Sequence, residues 1–190
     1  MSSLNEPVFN IDSIVLKSRT VGPHERLAIF FQGCDINCEG CSNQNLVPFR
    51  KKHMIPLSKL MIIITEAQRD HGIEGVTLLG GEPTLQKGLS ELCSAIKSMD
   101  LGLILYTGKL MNETEKSILN QMDLVIDGPF LKHQMEHERR GIGSRNQRLI
   151  LLSERYKNDI SWFYESHREG EFSLSDNHVD YTGDEIILFK

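Results

Sequence analysis

The chain has no apolar run long enough to cross a bilayer, and of its 190 residues only four are cysteine, six proline and one tryptophan. A helical membrane span needs about 20 consecutive apolar residues, so no span and no membrane partner are expected. The opening stretch MSSLNEPVFN lacks the basic-then-apolar build of a signal peptide, and a cytoplasmic location is the expectation. Positive charge is also scarce: 21 lysines and arginines face 26 acids, a formal net charge of −5. General nucleic-acid binding rests on many phosphate-neutralising cations and is not expected. Three of the cysteines crowd into one loop and Cys93 stands alone. That is the arithmetic of a metal site in a reducing compartment, not of a disulfide framework. Neither an internal repeat nor a low-complexity tract is present.

What is present is the composition of an ordinary globular chain, 39% hydrophobic and 25% charged, with a repeated order of elements. Short apolar or alternating runs predict strands at 9–15, 27–31, 75–79, 101–106, 124–126 and 148–152. Between them, helical periods predict helices at 58–71, 85–99 and 112–122. Ser58 is the expected N-cap of the first, with Gly72 just past its end, and Asn112 that of the last, with Glu115 three residues on. Repeated β-then-α units imply an α/β fold with a parallel sheet and helices outside it. Five to six units are too few for a closed eight-stranded barrel, so a partial (β/α) barrel of five to six parallel strands is expected over 1–152. The remaining 153–190 reads as a short C-terminal extension. It holds a helix over 153–169 carrying Trp162, Phe163 and Tyr164, and a hairpin of 177–181 and 185–189 around Thr182, Gly183 and Asp184.

In such sheets chemistry collects at the C-terminal ends of the strands. Here those ends carry Gly33-Cys34, Gly80-Gly81-Glu82, Thr107-Gly108 and Asp127-Gly128. Cys34, Cys38 and Cys41 follow a C-x3-C-x2-C spacing. Three thiolates so close can hold three irons of a [4Fe–4S] cube and leave the fourth iron open, whereas a cluster built only to carry electrons normally takes four cysteines. A structural zinc site is the alternative; it needs four ligands, and His24 or His53 would have to complete it. Gly80-Gly81 after a buried strand lets backbone groups approach a ligand without side-chain obstruction, or else serves only a tight turn.

The cysteine spacing followed by Gly80-Gly81-Glu82-Pro83 resembles the radical S-adenosylmethionine (SAM) enzymes. The resemblance narrows with Gly22-Pro23, Arg26, Phe31-Gln32-Gly33-Cys34, Cys41-Ser42-Asn43, Tyr106-Thr107-Gly108, Asp127-Gly128-Pro129-Phe130 and Gly143 through Arg148, in that order. Over about 9–152 the chain is similar to the glycyl-radical activases that serve anaerobic ribonucleoside-triphosphate reductase. That resemblance implies a [4Fe–4S] cluster on Cys34, Cys38 and Cys41, and SAM bound near Gly80, Gly81 and Glu82. Thr107 and Asp127 at strand ends and Asn43 in the loop are expected to reach SAM, or else serve as a cap, a turn residue and a loop brace. It implies SAM cleavage to a 5′-deoxyadenosyl radical, a large protein substrate, and an electron donor such as a flavodoxin or ferredoxin. Glu82 is expected to shape its turn more than to react. Radical modification of another protein, a ribosomal peptide or a small molecule stays open, as does a non-enzymatic electron carrier. The chain departs from the family in placing His24 where Gly-Pro-Gly is common, Gly40 where an aromatic residue often stands, and in its tail beyond 152.

Overall fold

The computed structural model describes residues 6–165, 170–175 and 178–183. Strand β1 (Val8–Ser18) turns back antiparallel onto β2 (Arg26–Phe31), and β3 (His53–Pro56) adds antiparallel to the other edge of β1. From β2 the sheet continues through β4 (Gly75–Gly80), β5 (Gly102–Thr107) and β6 (Leu124–Asp127), each parallel to its neighbour. Strand β7 (Arg148–Leu151) adds to β6 antiparallel. The result is one seven-stranded sheet in the order β3-β1-β2-β4-β5-β6-β7.

Four strands are therefore parallel, not the five to six expected. Parallel neighbours need a crossover long enough to pass over the sheet. Those crossovers carry α1 (Leu57–His71), α2 (Leu89–Lys97) and α3 (Lys116–Leu119). The connections β1 to β2 and β6 to β7 carry no α-helix, so the chain returns antiparallel at both flanks. The short strand β3 lies inside a stretch expected to be loop. Among the described residues no helix is long and apolar enough to cross a membrane.

Alternation along the parallel strands sorts their side chains onto two faces. Ile29, Phe31, Val76, Leu78, Leu103 and Leu105 meet the helices, where Leu60 and Ile64 of α1 and Leu92 and Ile96 of α2 complete the main core. Cys93 is buried in that core, and desolvation pushes its thiol up to about 12, the behaviour of a packing residue. On the other face, Ala28, Phe30 and Leu79 pack with Val15 and Val21. Ile104, Leu124 and Ile126 there pack with Tyr156 and Phe163 from the tail.

The helix boundaries differ from the expectations for identifiable reasons. Helix α1 starts one residue early, with Pro56 at the cap; Ser58 donates its N–H and Oγ–H to the Glu6 carboxylate at 2.9 and 3.0 Å. A carboxylate on free first-turn amides does the work a capping hydroxyl would do. The second helix is delayed by a 3₁₀ turn (Pro83–Leu85) and by Gly88 at φ 83°, where a Cβ would strike Pro7. The third splits into a 3₁₀ turn (Met111–Glu113) and the four residues of α3, because Thr114 between them is extended. Asn112 caps nothing; Glu113 accepts the Leu110 N–H instead.

Beyond Leu152 the expected helix is a 3₁₀ segment (Lys157–Tyr164), and 166–169 lie outside the described residues. Strands β8 (Gly170–Ser175) and β9 (His178–Gly183) pair with Ser175 opposite His178. Thr182 and Gly183 thus lie within a strand, not at a turn; their partner strand 170–175, in which Phe172 and Leu174 alternate with polar residues, is not among the expected elements. The expected strand 185–189 lies outside the described residues.

Tyr156 ties the tail to the start of the sheet. Arg26 is fully buried and donates to Thr77 Oγ1, the Pro23, Val76 and Gly102 carbonyls and the Tyr156 hydroxyl, the last at 2.6 Å. Nearby, His24 adopts φ 64°, the left-handed conformation that glycine takes freely. Its ring reaches Asp159 at 3.2 Å and lies 6.3 Å from the Tyr156 ring. The turn therefore keeps the backbone of a glycine while carrying a side chain that grips the tail. His24→Ala loses the grip without relieving the backbone, whereas His24→Gly relieves it. The glycine variant is expected to be the more stable of the two by about 1 kcal/mol, read from urea unfolding midpoints; the reverse order would contradict this account.

Candidate functional site

The C-terminal ends of the four parallel strands converge on one cavity of about 1140 Å³, whose walls include Cys34, Cys38, Cys41, Asn43, Gly80 and Gly81. The cysteine loop starts where β2 ends. Gly33 N–H donates to Leu46 O at 2.8 Å, Cys34 N–H to Val47 O at 3.0 Å, and the Gln32 side chain to Pro48 O at 2.7 Å. The loop is thus folded back and anchored on itself. All three thiols are free and half-buried. Burial raises the Cys34 and Cys38 thiols, while the Ile36 and Asn37 N–H groups, for Cys34, and the Phe130 N–H, for Cys38, pull the other way. Amide donors aimed at sulfur favour the thiolate, and a bound metal centre supplies the remaining positive charge.

Among the described residues, no three His, Cys, Asp or Glu side chains form a group able to hold a single metal ion. A cubane makes a different demand, because each cysteine binds a different iron. The loop's three separate thiols on one wall fit it. The two histidines considered for a zinc shell lie elsewhere: His24 precedes β2, at the opposite end of the sheet, and bonds with Asp159, while His53 lies on the edge strand β3. Neither lines the cavity.

Gly80 and Gly81 hold the cysteine loop and β4 together. Gly81 N–H donates to Phe31 O at 2.7 Å, and Glu82 N–H to Gly33 O at 2.9 Å. Gly80 sits at φ 115°, and a Cβ there would come within 2.7 Å of Phe31 O; one at Gly81 would come within 2.9 Å of the Gly33 carbonyl carbon. Glu82 is fully buried. Its carboxylate accepts from Thr84 N at 3.0 Å, Thr84 Oγ1 at 2.6 Å, Thr107 Oγ1 at 2.8 Å and Gly108 N at 2.9 Å. It ties the end of β4 to the end of β5, and Thr107 is its partner in that tie.

Of the six residues expected near SAM, five line the cavity: Asn43, Gly80, Gly81, Glu82 and Thr107. Asp127 does not. Its carboxylate is buried, accepts the Met111 N–H at 2.9 Å and is gripped by the Arg148 guanidinium. The Gly143-to-Arg148 motif is braced by its neighbours: Asn146 donates to Pro129 O at 2.8 Å, and Gln147, which lines the cavity together with Gly143, bridges Gly128 O to the Gly143 and Ser144 amides.

The wall formed by residues 135–142 carries no expected site residue. Glu136 there accepts the His137 and Glu138 N–H groups and the Arg139 guanidinium. Burial opposes its charge, yet those donors hold the carboxyl down at about 2. Arg139 also donates to the carbonyls of Gln147 and Arg145, at 2.9 and 3.1 Å, fixing this segment across the mouth. Arg140 lies 4.2 Å over the Trp162 ring. Phe30, Leu79 and Tyr106 line the floor, and Tyr164 the rim. The floor was legible as the strand face turned away from the helices; the charged 135–140 run gave no periodic signal.

Comparison with known proteins agrees with this geometry. The 4Fe-4S single cluster domain family matches residues 20–150, more than half of the chain. The anaerobic ribonucleoside-triphosphate reductase-activating protein of Enterobacteria phage T4 is 29% identical over 146 residues, which cover 74% of this chain and 92% of the phage protein. The protein of the same name from Vibrio cholerae is 28% identical, over 66% of this chain and 87% of its own length. A putative glycyl-radical enzyme activating enzyme of Haemophilus influenzae is 35% identical over 53% of this chain and 39% of its own length. Among solved structures, QueE from Escherichia coli superposes with a TM-score of 0.44 at 13% identity, over 64% of this chain and 71% of that one; nothing here rests on it.

Proposed function

Because the chain belongs to the 4Fe-4S single cluster domain family, on its radical SAM activase branch, we propose that it generates a glycyl radical on an anaerobic ribonucleotide reductase. One observation carries the reading: three free cysteines and Gly80-Gly81 share the walls of a single cavity. Cys34, Cys38 and Cys41 hold the cluster. When bound, the cluster supplies the electron that cleaves SAM to methionine and a 5′-deoxyadenosyl radical. Gly80 and Gly81 offer bare backbone to SAM, with Asn43 and Thr107 beside them. Glu82 holds two strand ends in place and acts by positioning. The floor residues Phe30 and Leu79 exclude water from the reacting groups.

The cavity exceeds the roughly 300–1,000 Å³ typical of small-molecule pockets, which leaves room for a polypeptide segment beside the cofactor. We assign the reductase, and an electron donor of flavodoxin or ferredoxin type, as the partners. We read the seven-stranded sheet as a partial barrel and assign the protein to the cytoplasm. A different polypeptide target has one observation in its favour: Tyr164 and Glu165 line the cavity from beyond the family-matched residues.

The test is anaerobic reconstitution with iron and sulfide, followed by incubation with SAM, dithionite and the cell's own anaerobic reductase. A glycyl-radical signal in electron paramagnetic resonance is expected. Production of 5′-deoxyadenosine without that signal would transfer the chain to another target.

A further inference from the structure

Phe49 is 73% exposed, and it sits beside the cysteine loop. Its ring lies over Gly33, where an added Cβ would approach it within 3.0 Å, and Gly33 is bonded to Cys34. Arg50, Lys51 and Lys52 follow in sequence, all exposed. The segment is held in place. Asn10 donates its side-chain amide to Arg50 O at 2.8 Å and accepts the Lys52 N–H at 2.9 Å. Lys52 is neutralised by Asp12 at 2.8 Å. Arg50 donates to Asn45 O at 3.3 Å, and among the described residues neither Arg50 nor Lys51 is paired with a carboxylate. On the loop's other flank, by contrast, Lys132 faces Glu39 at 3.6 Å.

In a chain of net charge −5, two uncompensated cations beside an exposed aromatic ring reverse the prevailing field at one place. Two acidic proteins repel at long range, and a local basic patch steers one onto the other. An exposed aromatic side chain supplies the dry centre that such contacts need. We infer that Phe49, Arg50 and Lys51 form the docking surface for an acidic one-electron carrier protein, seated against the backbone that bears Cys34. The carrier gives up one electron and the protein's bound cofactor takes it up; no other reactant is required. The inference rests on the redox reading above.

The experiment uses reconstituted protein and a flavodoxin as the carrier, with binding read by surface plasmon resonance and reduction by electron paramagnetic resonance. Arg50→Glu/Lys51→Glu is expected to weaken flavodoxin binding about tenfold at low ionic strength, with the difference fading as salt rises. Reduction by flavodoxin slows in parallel, while reduction by dithionite stays as in the parent. Unchanged flavodoxin binding overturns the inference. So does intact flavodoxin binding with loss of binding to the glycine-bearing partner, which would make this the substrate face. If the double variant also loses dithionite reduction, the loop itself has been disturbed. The single change Lys51→Glu then decides, with Lys51→Arg expected to bind as the parent does. Failure of the proposed function shows differently, as no SAM cleavage even with dithionite.

Discussion

Cys38→Ala is expected to abolish 5′-deoxyadenosine production from SAM and to strip iron from the reconstituted protein, while leaving the fold intact. The thiol is half-buried at the cavity wall and belongs to neither packed face of the sheet, so its removal leaves no hole in the core. On the proposed ligand set it would also remove the sole protein ligand of one iron. Residues that merely support metal ligands cost 10–100-fold when changed, so loss of a ligand should cost on the order of a hundredfold or more. Cys93→Ala is the matched control. That thiol is buried under α2 and away from the cavity, so its loss should lower stability and spare the cluster. Iron and sulfide content, with product measured by chromatography, separate the two. Turnover persisting in Cys38→Ala would remove this cysteine from the ligand set.

Gly81→Ala is expected to damage stability and site together. The added methyl would meet the Gly33 carbonyl, and both partners are backbone, so no side chain can swing aside. The Gly81 amide is bonded to Phe31 O and the Glu82 amide to Gly33 O. Opening a gap for the methyl therefore pulls on the start of the cysteine loop. A cost of about 3 kcal/mol is expected from overpacking and forced backbone strain, read as a lower urea midpoint. Cluster loading should fall as well. A variant with parental stability would show that the β4 turn and the cysteine loop are not in rigid contact.

These two residues also mark what the sequence made legible. A C-x3-C-x2-C run and a glycine pair after a buried strand announce themselves by residue type, because few other side chains could serve. The parallel strands showed as continuous apolar runs, as expected when both faces are covered. The sheet's flanks were misread because the direction of a strand depends on its connection; β7 looks like β6 in composition. Helix ends failed where a distant group intervened. Glu6 satisfies the first turn of α1, and Pro7 abuts Gly88 ahead of α2, and neither contact is local in sequence. Asp127 carries the same lesson. An aspartate at a strand end has the right chemistry to meet a ligand, but Arg148, 21 residues on, had already taken it.

The Arg26–Tyr156 hydrogen bond makes the segment after β7 structural in a strict sense. A guanidinium without water must find an acceptor for every N–H, and here one of those acceptors arrives from beyond the last strand of the sheet. Cutting the chain at Leu152 would leave a buried cation short of a partner and uncover Ile104, Leu124 and Ile126. The sheet and the tail through Tyr164 should therefore melt in a single cooperative transition, and the emerging polypeptide stays incomplete until Tyr156 has cleared the ribosome.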